Sequence, residues 1–510
     1  MKAKMIIDKD YRVGEVDPRL AASHVEHAGR GVYNGIYEPE HSLADEEGFR
    51  KDVIESVRQL GTTAIRYPGG NFVSNYDWMD GVGPKEQRPT RLELAWRQIE
   101  PNTFGTNEFL SWIHKVGNID PMFTVNLGSG GMKEAVSLLE YCNYPGGTYY
   151  SDLRKKHGYD KPYNIKTWFL GNEMDGPWQL GGLSGTEYGR KAVNAGFAMR
   201  SMFPDLELIL VGSSGNRCEN YPAFMAEALE IAYDQVDMVS LHRYYGGHEG
   251  GWENGTEDFF AVSLDLEDYI RGSIATCDYI KAKKRAKKTI NISLDEWNIW
   301  PKMPDEIVRM NELSPWYFGG PLAEGFMTYE DFLVCCFYNL TVLKHADRVK
   351  ILCVDLLVNT SGPVHTEFGG NVWRQPNYYV IQHIARYGEG TVLGCVMEVP
   401  KYDSATYTDV PYVEAVPVYH EEKETLTLFC ASRSLTEDTM LTLNLRGFED
   451  YHVIEHIAVA CEDLGAVNGP EGERIYPVNL ENTTRVEEDQ IMIRIPKMSW
   501  NVVRMGKKQA

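Results

Sequence analysis

The chain lacks the marks of the commonest nucleotide, metal and serine enzymes. Neither GxGxxG nor GxxxxGKS/T occurs, which argues against the dinucleotide and P-loop folds. There is no HExxH or HxH pair for a metal and no GxSxG for a nucleophilic serine. No CxxC pair is present, and the nine Cys are an odd number scattered along the chain, several in apolar runs such as FLVCCFY. There a reduced Cys behaves as a small hydrophobe. No apolar stretch approaches the roughly 18 residues of a membrane helix. The opening segment MKAKMIIDKDYRVGEVD turns acidic after three apolar residues, too short for a signal-peptide core. Positive charge is scarce as well, with 51 Lys+Arg against 73 Asp+Glu and a formal net charge of −22. The one basic run, Lys281 to Lys288, reads as the solvated end of a helix. Nucleic acid and anionic membranes need clustered Lys and Arg, so neither is an expected partner. These shortages together predict a reduced, cytoplasmic protein acting on a neutral partner.

What the 510 residues do contain is repeated alternation of short apolar runs with longer segments of helical period. Strands are predicted approaching His24-Val25-Glu26 and over 64–70, 121–128, 165–173, 206–214, 236–244, 289–297 and 349–359. Helices are predicted over 45–60, 106–116, 186–202, 221–233, 263–284 and 329–345. Near-continuous apolar strands separated by helices mean a parallel sheet covered by helices. Eight such repeats fit a (β/α)8 TIM barrel over residues 17–386 better than an open doubly wound sheet. From residue 387 onward TLTLFCASR, MLTLNLRGF, HVIEHIAVA and IMIRIP alternate with period two between Asp, Gly, Asn and Pro clusters. That predicts an all-β sandwich over residues 387–510, which the N-terminal strand within residues 1–16 is expected to join.

In a (β/α)8 barrel the chemistry sits at the C-terminal ends of the strands. The fourth predicted strand ends in Gly171-Asn172-Glu173 and the seventh in Asp295-Glu296-Trp297. A lone Glu there is usually a salt-bridge partner or helix cap, but two such Glu residues point into one mouth. Paired carboxylates about 5 Å apart are the device of a retaining glycosidase, one as nucleophile and one as acid/base. The second strand ends in Arg66-Tyr67-Pro68-Gly69-Gly70-Asn71, a tight turn with an amide suited to a sugar hydroxyl. The sixth ends in His242-Arg243-Tyr244-Tyr245, an imidazole and a phenol that are as readily structural as catalytic. Trp78, Trp96, Trp178, Trp297 and Trp300 lie in or near these loops, and the C–H faces of sugars stack on aromatic rings. A metal is the chemical rival. His24 and His27 could ligate one only on a helix, and no third ligand is nominated nearby.

The segments HVEHAGRGVYNGIYEPE, IRYPGGNFVSNYDWMDGVGP, RLELAWRQIEPNTFGTNEF, LGNEMDGPWQLG, SLHRYY and ISLDEWNIW closely resemble, in order, the family 51 glycoside hydrolases. The best-known members are α-L-arabinofuranosidases. The resemblance implies a barrel with a β-sandwich, double displacement with retention, and Glu173 as acid/base with Glu296 as nucleophile. It also implies that Asn172 holds the sugar 2-hydroxyl and that Glu26 and Asn71 bind other furanose hydroxyls. His242 and Tyr244 would stand beside the nucleophile, and Trp96 and Trp300 would flank the sugar and leaving group. A cytoplasmic homo-oligomer, often a hexamer, without cofactor or required metal is implied, acting on arabinofuranosyl oligosaccharides.

The sequence departs from the family at the eighth strand. Where the pattern reads KxANxAQLVN, this chain reads KILCVDLLVN, with Cys353 for the Asn and Leu356 for the Gln that helps bind the sugar. Leu cannot hydrogen-bond a hydroxyl, a loss of roughly 0.5–1.5 kcal/mol. Either Asp355 supplies the polar group, or the pocket differs and admits a β-D-galactofuranoside or β-D-xyloside. A silent sugar-binding barrel is the reading from another class, and both carboxylates argue against it.

Overall fold

The computed structural model describes residues 1–303, 316–487 and 490–507. Strand β1 (Lys2–Glu15) precedes a closed parallel barrel. Its eight strands are β2 (Ala22–His24), β3 (Ala64–Tyr67), β4 (Asp120–Val125), β5 (Thr167–Leu170), β6 (Glu207–Ser213), β7 (Met238–Gly246), β8 (Asn291–Trp300) and β9 (Val349–Val354). Neighbours in sequence are neighbours in the sheet, and Cys353 and Val354 of β9 pair with Ala22 and Ser23 of β2 to close it. Ala22, Ala64, Met122, Phe169, Ile209, Met238, Ile351 and Cys353 fill the barrel interior as one buried apolar cluster. This is a packed core and not a pore.

Five of the six predicted helices form close to their expected bounds, for example Thr106–Val116 and Ser263–Lys284, whereas the one expected over 45–60 begins only at Lys51. Helices Met132–Asn143 and Tyr149–Lys156, between β4 and β5, were not anticipated from the sequence. The last predicted barrel strand is shorter than expected. It stops at Val354, where Asp355 leaves the wall to bond His24 and Tyr244.

Among the described residues the C-terminal module is a ten-stranded sheet with a small two-stranded pair, Lys401–Tyr402 and Val410–Pro411, beside it. It curls around a core that includes Ala3, Met5, Ile7, Leu428, Leu441, Ile493 and Val503. β1 is central to it, antiparallel to Thr391–Glu398 and parallel to Thr439–Arg446. Helix Tyr329–Lys344 joins the two parts. Its Lys344 and the fully buried Arg433 both pair with Glu414, and Arg433 also donates to Phe260 O at 2.9 Å. Burial would raise the Glu414 carboxyl, but these two cations outweigh it and hold the group down at about 2. Among the described residues no helix is long and apolar enough to cross a membrane.

Candidate active site

The site is built at the C-terminal ends of the barrel strands, and an irregularity in β8 shapes it. The register between β7 and β8 shifts between Leu294 and Glu296. A bulge re-aims side chains that would otherwise alternate across the wall. Asp295 accepts from Ser240, Ser293 and His242 inside the barrel, while Glu296 is held by Arg66 and Tyr244. After β5 the chain turns through Gly171 and Asn172, and Glu173 itself is left-handed at φ 44°. That conformation is uncommon for a side chain and recurs at functional sites.

A carboxylate oxygen of Glu173 and one of Glu296 lie within 4.8 Å of each other, with His242 between them. His242 Nδ1 is 3.0 Å from Glu173 Oε1 and 3.2 Å from Glu296 Oε2. Trp178 Nε1 donates to the other Glu173 oxygen at 2.7 Å. Glu296 Oε1 accepts from Arg66 Nη1 at 2.7 Å, and Oε2 accepts from Tyr244 Oη at 2.9 Å. Arg66 also donates to Asn172 Oδ1 at 2.6 Å, which leaves the Asn172 amide to donate to Asn71 Oδ1 at 3.2 Å. Glu26 accepts from Phe72 N and Trp96 Nε1, both at 2.8 Å. Gly69, at φ 101°, and Gly70 allow this crowding. A Cβ on Gly69 would stand 2.2 Å from His24 Nε2, and one on Gly70 would stand 2.5 Å from Glu26 Oε2.

The environment pushes the two central carboxyls' neighbours in opposite directions. Burial raises the Glu173 carboxyl, only partly offset by His242. Burial works against the His242 imidazolium, but the charge of Glu296 and the bonds to Asp295 and Glu173 lift it well above its usual range. Asp295, though buried, is kept low by Arg66 and His242. Burial, then the charges of Asp355 and Glu296, drive Glu26 well above the usual carboxyl range.

The structure thus brings together Glu26, Asn71, Trp96, Asn172, Glu173, His242, Tyr244 and Glu296. The Trp300 ring lies 5.6 Å from that of Tyr244. Trp78 and Trp297 are core residues, the first against Tyr141 and the second stacked on Tyr338. Leu356 is buried, with Cδ1 3.1 Å from where a Gly31 Cβ would be. Its neighbour Asp355 takes the polar place in the site, bonded to His24 and Tyr244. Sequence reasoning gave no role to Arg66 or Asp295 and weighed His24 only as a metal ligand. Each is a charged or titratable residue inside an apolar barrel strand (AIRY, ASH, ISLDEW), and that was the available signal.

His24 and His27 do not act together. His24 ends β2, whereas His27 bonds Glu100 and Tyr67, each at 2.9 Å. Among the described residues two other sets have atoms able to ligate a metal within 4.8 Å of one another: Glu173, His242 and Glu296, and His24, Glu26 and Asp355. Both nitrogens of His24 are already engaged, by Asp355 and by the Gly70 N–H.

A parallel barrel whose mouth carries two buried carboxyls at this spacing is the working end of a glycoside hydrolase. Sequence profiles of the α-L-arabinofuranosidase 1 domain and the α-L-arabinofuranosidase C-terminal domain match residues 56–257 and 295–499. An intracellular exo-α-(1→5)-L-arabinofuranosidase of Acetivibrio thermocellus is 49% identical, over 99% of this chain and 100% of the relative. The corresponding enzyme 1 of Bacillus subtilis is 47% identical over 99% of each. The structure of a family 51 α-L-arabinofuranosidase from Bifidobacterium longum superimposes with a TM-score of 0.92 at 36% identity, covering 98% of this chain and 99% of that one. The chain belongs to glycoside hydrolase family 51, the α-L-arabinofuranosidases.

Proposed function

We propose that this protein is a retaining exo-α-L-arabinofuranosidase that removes non-reducing terminal arabinofuranosyl residues from oligosaccharides in the cytoplasm. The carrying observation is the Glu173–Glu296 approach within 4.8 Å. Inverting enzymes space the two groups about 6.5–9.5 Å apart to admit a water, and retaining enzymes about 5–5.5 Å. In the first step Glu173 gives its proton to the leaving oxygen while Glu296 attacks the anomeric carbon. In the second, Glu173 takes a proton from water, which displaces Glu296. Glu26, Asn71 and Asn172 bind the furanose hydroxyls, and Trp96 and Trp300 flank the sugar and leaving group. Tyr244 and Arg66 hold the nucleophile, and His242 carries the positive charge between the carboxyls.

Glu296→Ala is expected to abolish turnover, and added azide to restore it by attacking the exposed anomeric carbon. An active Glu296→Ala protein would sink the reading. Assaying nitrophenyl α-L-arabinofuranoside, β-D-galactofuranoside and β-D-xyloside side by side tests the glycone. Asp355 in the site, with Leu356 turned toward Gly31, is the observation behind the second reading, an altered pocket, and that reading fails if arabinofuranoside has by far the highest kcat/KM. Residues 17–386 carry the chemistry in this reading, and residues 1–16 with 387–510 support them. A homo-oligomer up to a hexamer belongs to it too, checked by a light-scattering mass in multiples of 57.9 kDa.

A further inference from the structure

Tyr244 has one hydroxyl proton and two carboxyl oxygens beside it: Oε2 of Glu296 at 2.9 Å and Oδ2 of Asp355 at 2.8 Å. A phenol donates once and otherwise only accepts. If it donates to Glu296, an ionised Asp355 faces its lone pairs with no proton between them. If it donates to Asp355, Glu296 loses that donor. Both contacts are satisfied together only when one of the two carboxyls carries a proton and gives it to the Tyr244 oxygen; with Glu296 ionised as the nucleophile, that carboxyl is Asp355.

The other Asp355 oxygen gives the row its direction. Oδ1 is bonded to His24 Nδ1, and His24 Nε2 accepts the Gly70 N–H at 3.1 Å, so a neutral ring carries its proton on Nδ1. Burial and then the charge of Arg66 keep that ring neutral, with its pKa lowered to about 3. The row therefore runs from His24 through Asp355 and Tyr244 to Glu296.

On the reading that Glu296 is the nucleophile, we propose that protonated Asp355 is a positioning residue that turns the Tyr244 hydroxyl onto Glu296, and that losing this proton turns the hydroxyl away. The groups around it come from every neighbouring strand: His24 and Glu26 at the end of β2, Arg66 on β3, His242 and Tyr244 on β7, and Glu296 on β8. Burial raises Asp355 to about 6 against the opposing pull of Tyr244, His242 and Arg66. Below that pH the hydroxyl serves Glu296, and above it the Asp355 anion claims it.

The test is the pH dependence of kcat/KM for nitrophenyl α-L-arabinofuranoside. Its good leaving group makes the ionisation of Glu173 count for little. The wild type is expected to lose about tenfold as pH rises through about 6, the scale of one hydrogen bond to a charged group. Asp355→Asn presents an N–H to Tyr244 and a carbonyl to His24 at every pH, so its profile should lack that limb. Tyr244→Phe should lack it too, because the ionisation is no longer passed on, and it serves if Asp355→Asn does not fold. An active wild type without a limb near that pH, or a variant that keeps the limb, overturns the role of Asp355. A wild type that hydrolyses no arabinofuranoside overturns the functional reading instead.

Discussion

Arg66 Nη1 reaches across the barrel mouth from β3 to donate to Oε1 of Glu296 on β8 at 2.7 Å. Its guanidinium lies 4.8 Å over the Phe169 ring and 3.4 Å from Asp295, so one fully buried cation faces two acids. Removing one partner of such a pair leaves the others uncompensated, at a cost of about 3–5 kcal/mol. Arg66→Ala is therefore expected to lose stability on that scale and, with a donor to Glu296 gone, to lower kcat by about 10²-fold. Steady-state kinetics checks this, with circular dichroism to confirm the fold. Near-wild-type kcat would refute the role.

His242 sets the proton affinity of Glu173. Its hydrogen bond and its charge both pull the Glu173 carboxyl down, against the raising effect of burial. Deleting the imidazole removes only the downward pull. In His242→Ala the alkaline limb of kcat/KM, where Glu173 loses its proton, should move to higher pH. A substrate with a poor leaving group is the right probe, because it depends most on the acid. A limb displaced to lower pH would contradict the assignment.

Glu173 should also show its role through the leaving group. Glu173→Ala is expected to cost substrates with poor leaving groups far more than nitrophenyl ones, by about 10²-fold or more. Equal losses on both would argue against an acid/base role.

Gly69 meets two demands at once, a φ of 101° and the approach of His24. Gly69→Ala carries about 1–3 kcal/mol of backbone strain before its Cβ pushes His24 aside. A lowered Tm and a kcat/KM loss are expected together. Loss of Tm alone would mean that His24 has no part in the site.

Glu414 ties the barrel to the C-terminal sheet. Held at about 2 instead of the usual 4.5, its carboxylate contributes stability that is present above pH 4.5 and lost as pH falls through about 2. Glu414→Gln leaves the buried Arg433 short of a counter-charge and should cost about 3–5 kcal/mol at neutral pH. Denaturant melts should show that gap narrowing as pH falls through the same window.

The sequence showed the barrel, most of its helices and both central carboxyls, because these rest on local periodicity and on which residue ends each strand. The site roles of Arg66 and His24 escaped it, since a charged residue in AIRY or an imidazole in ASH acquires meaning only from strands far along the chain. Trp297 shows the reverse. Its place at a strand end suggested a sugar platform, but packing turned it onto Tyr338.

By itself the sequence determined the alternation that closes a parallel sheet, the family, and which Glu residues stand at strand ends. The side-chain period of strands and the burial demand of apolar runs require no knowledge of distant contacts. Only the tertiary structure decided that Asp355 enters the site while Leu356 turns toward Gly31, that the β8 irregularity splits Asp295 from Glu296, and that His242 stands between the two carboxyls. These are relations between side chains on different strands, and closure of the barrel is what brings them within hydrogen-bonding distance.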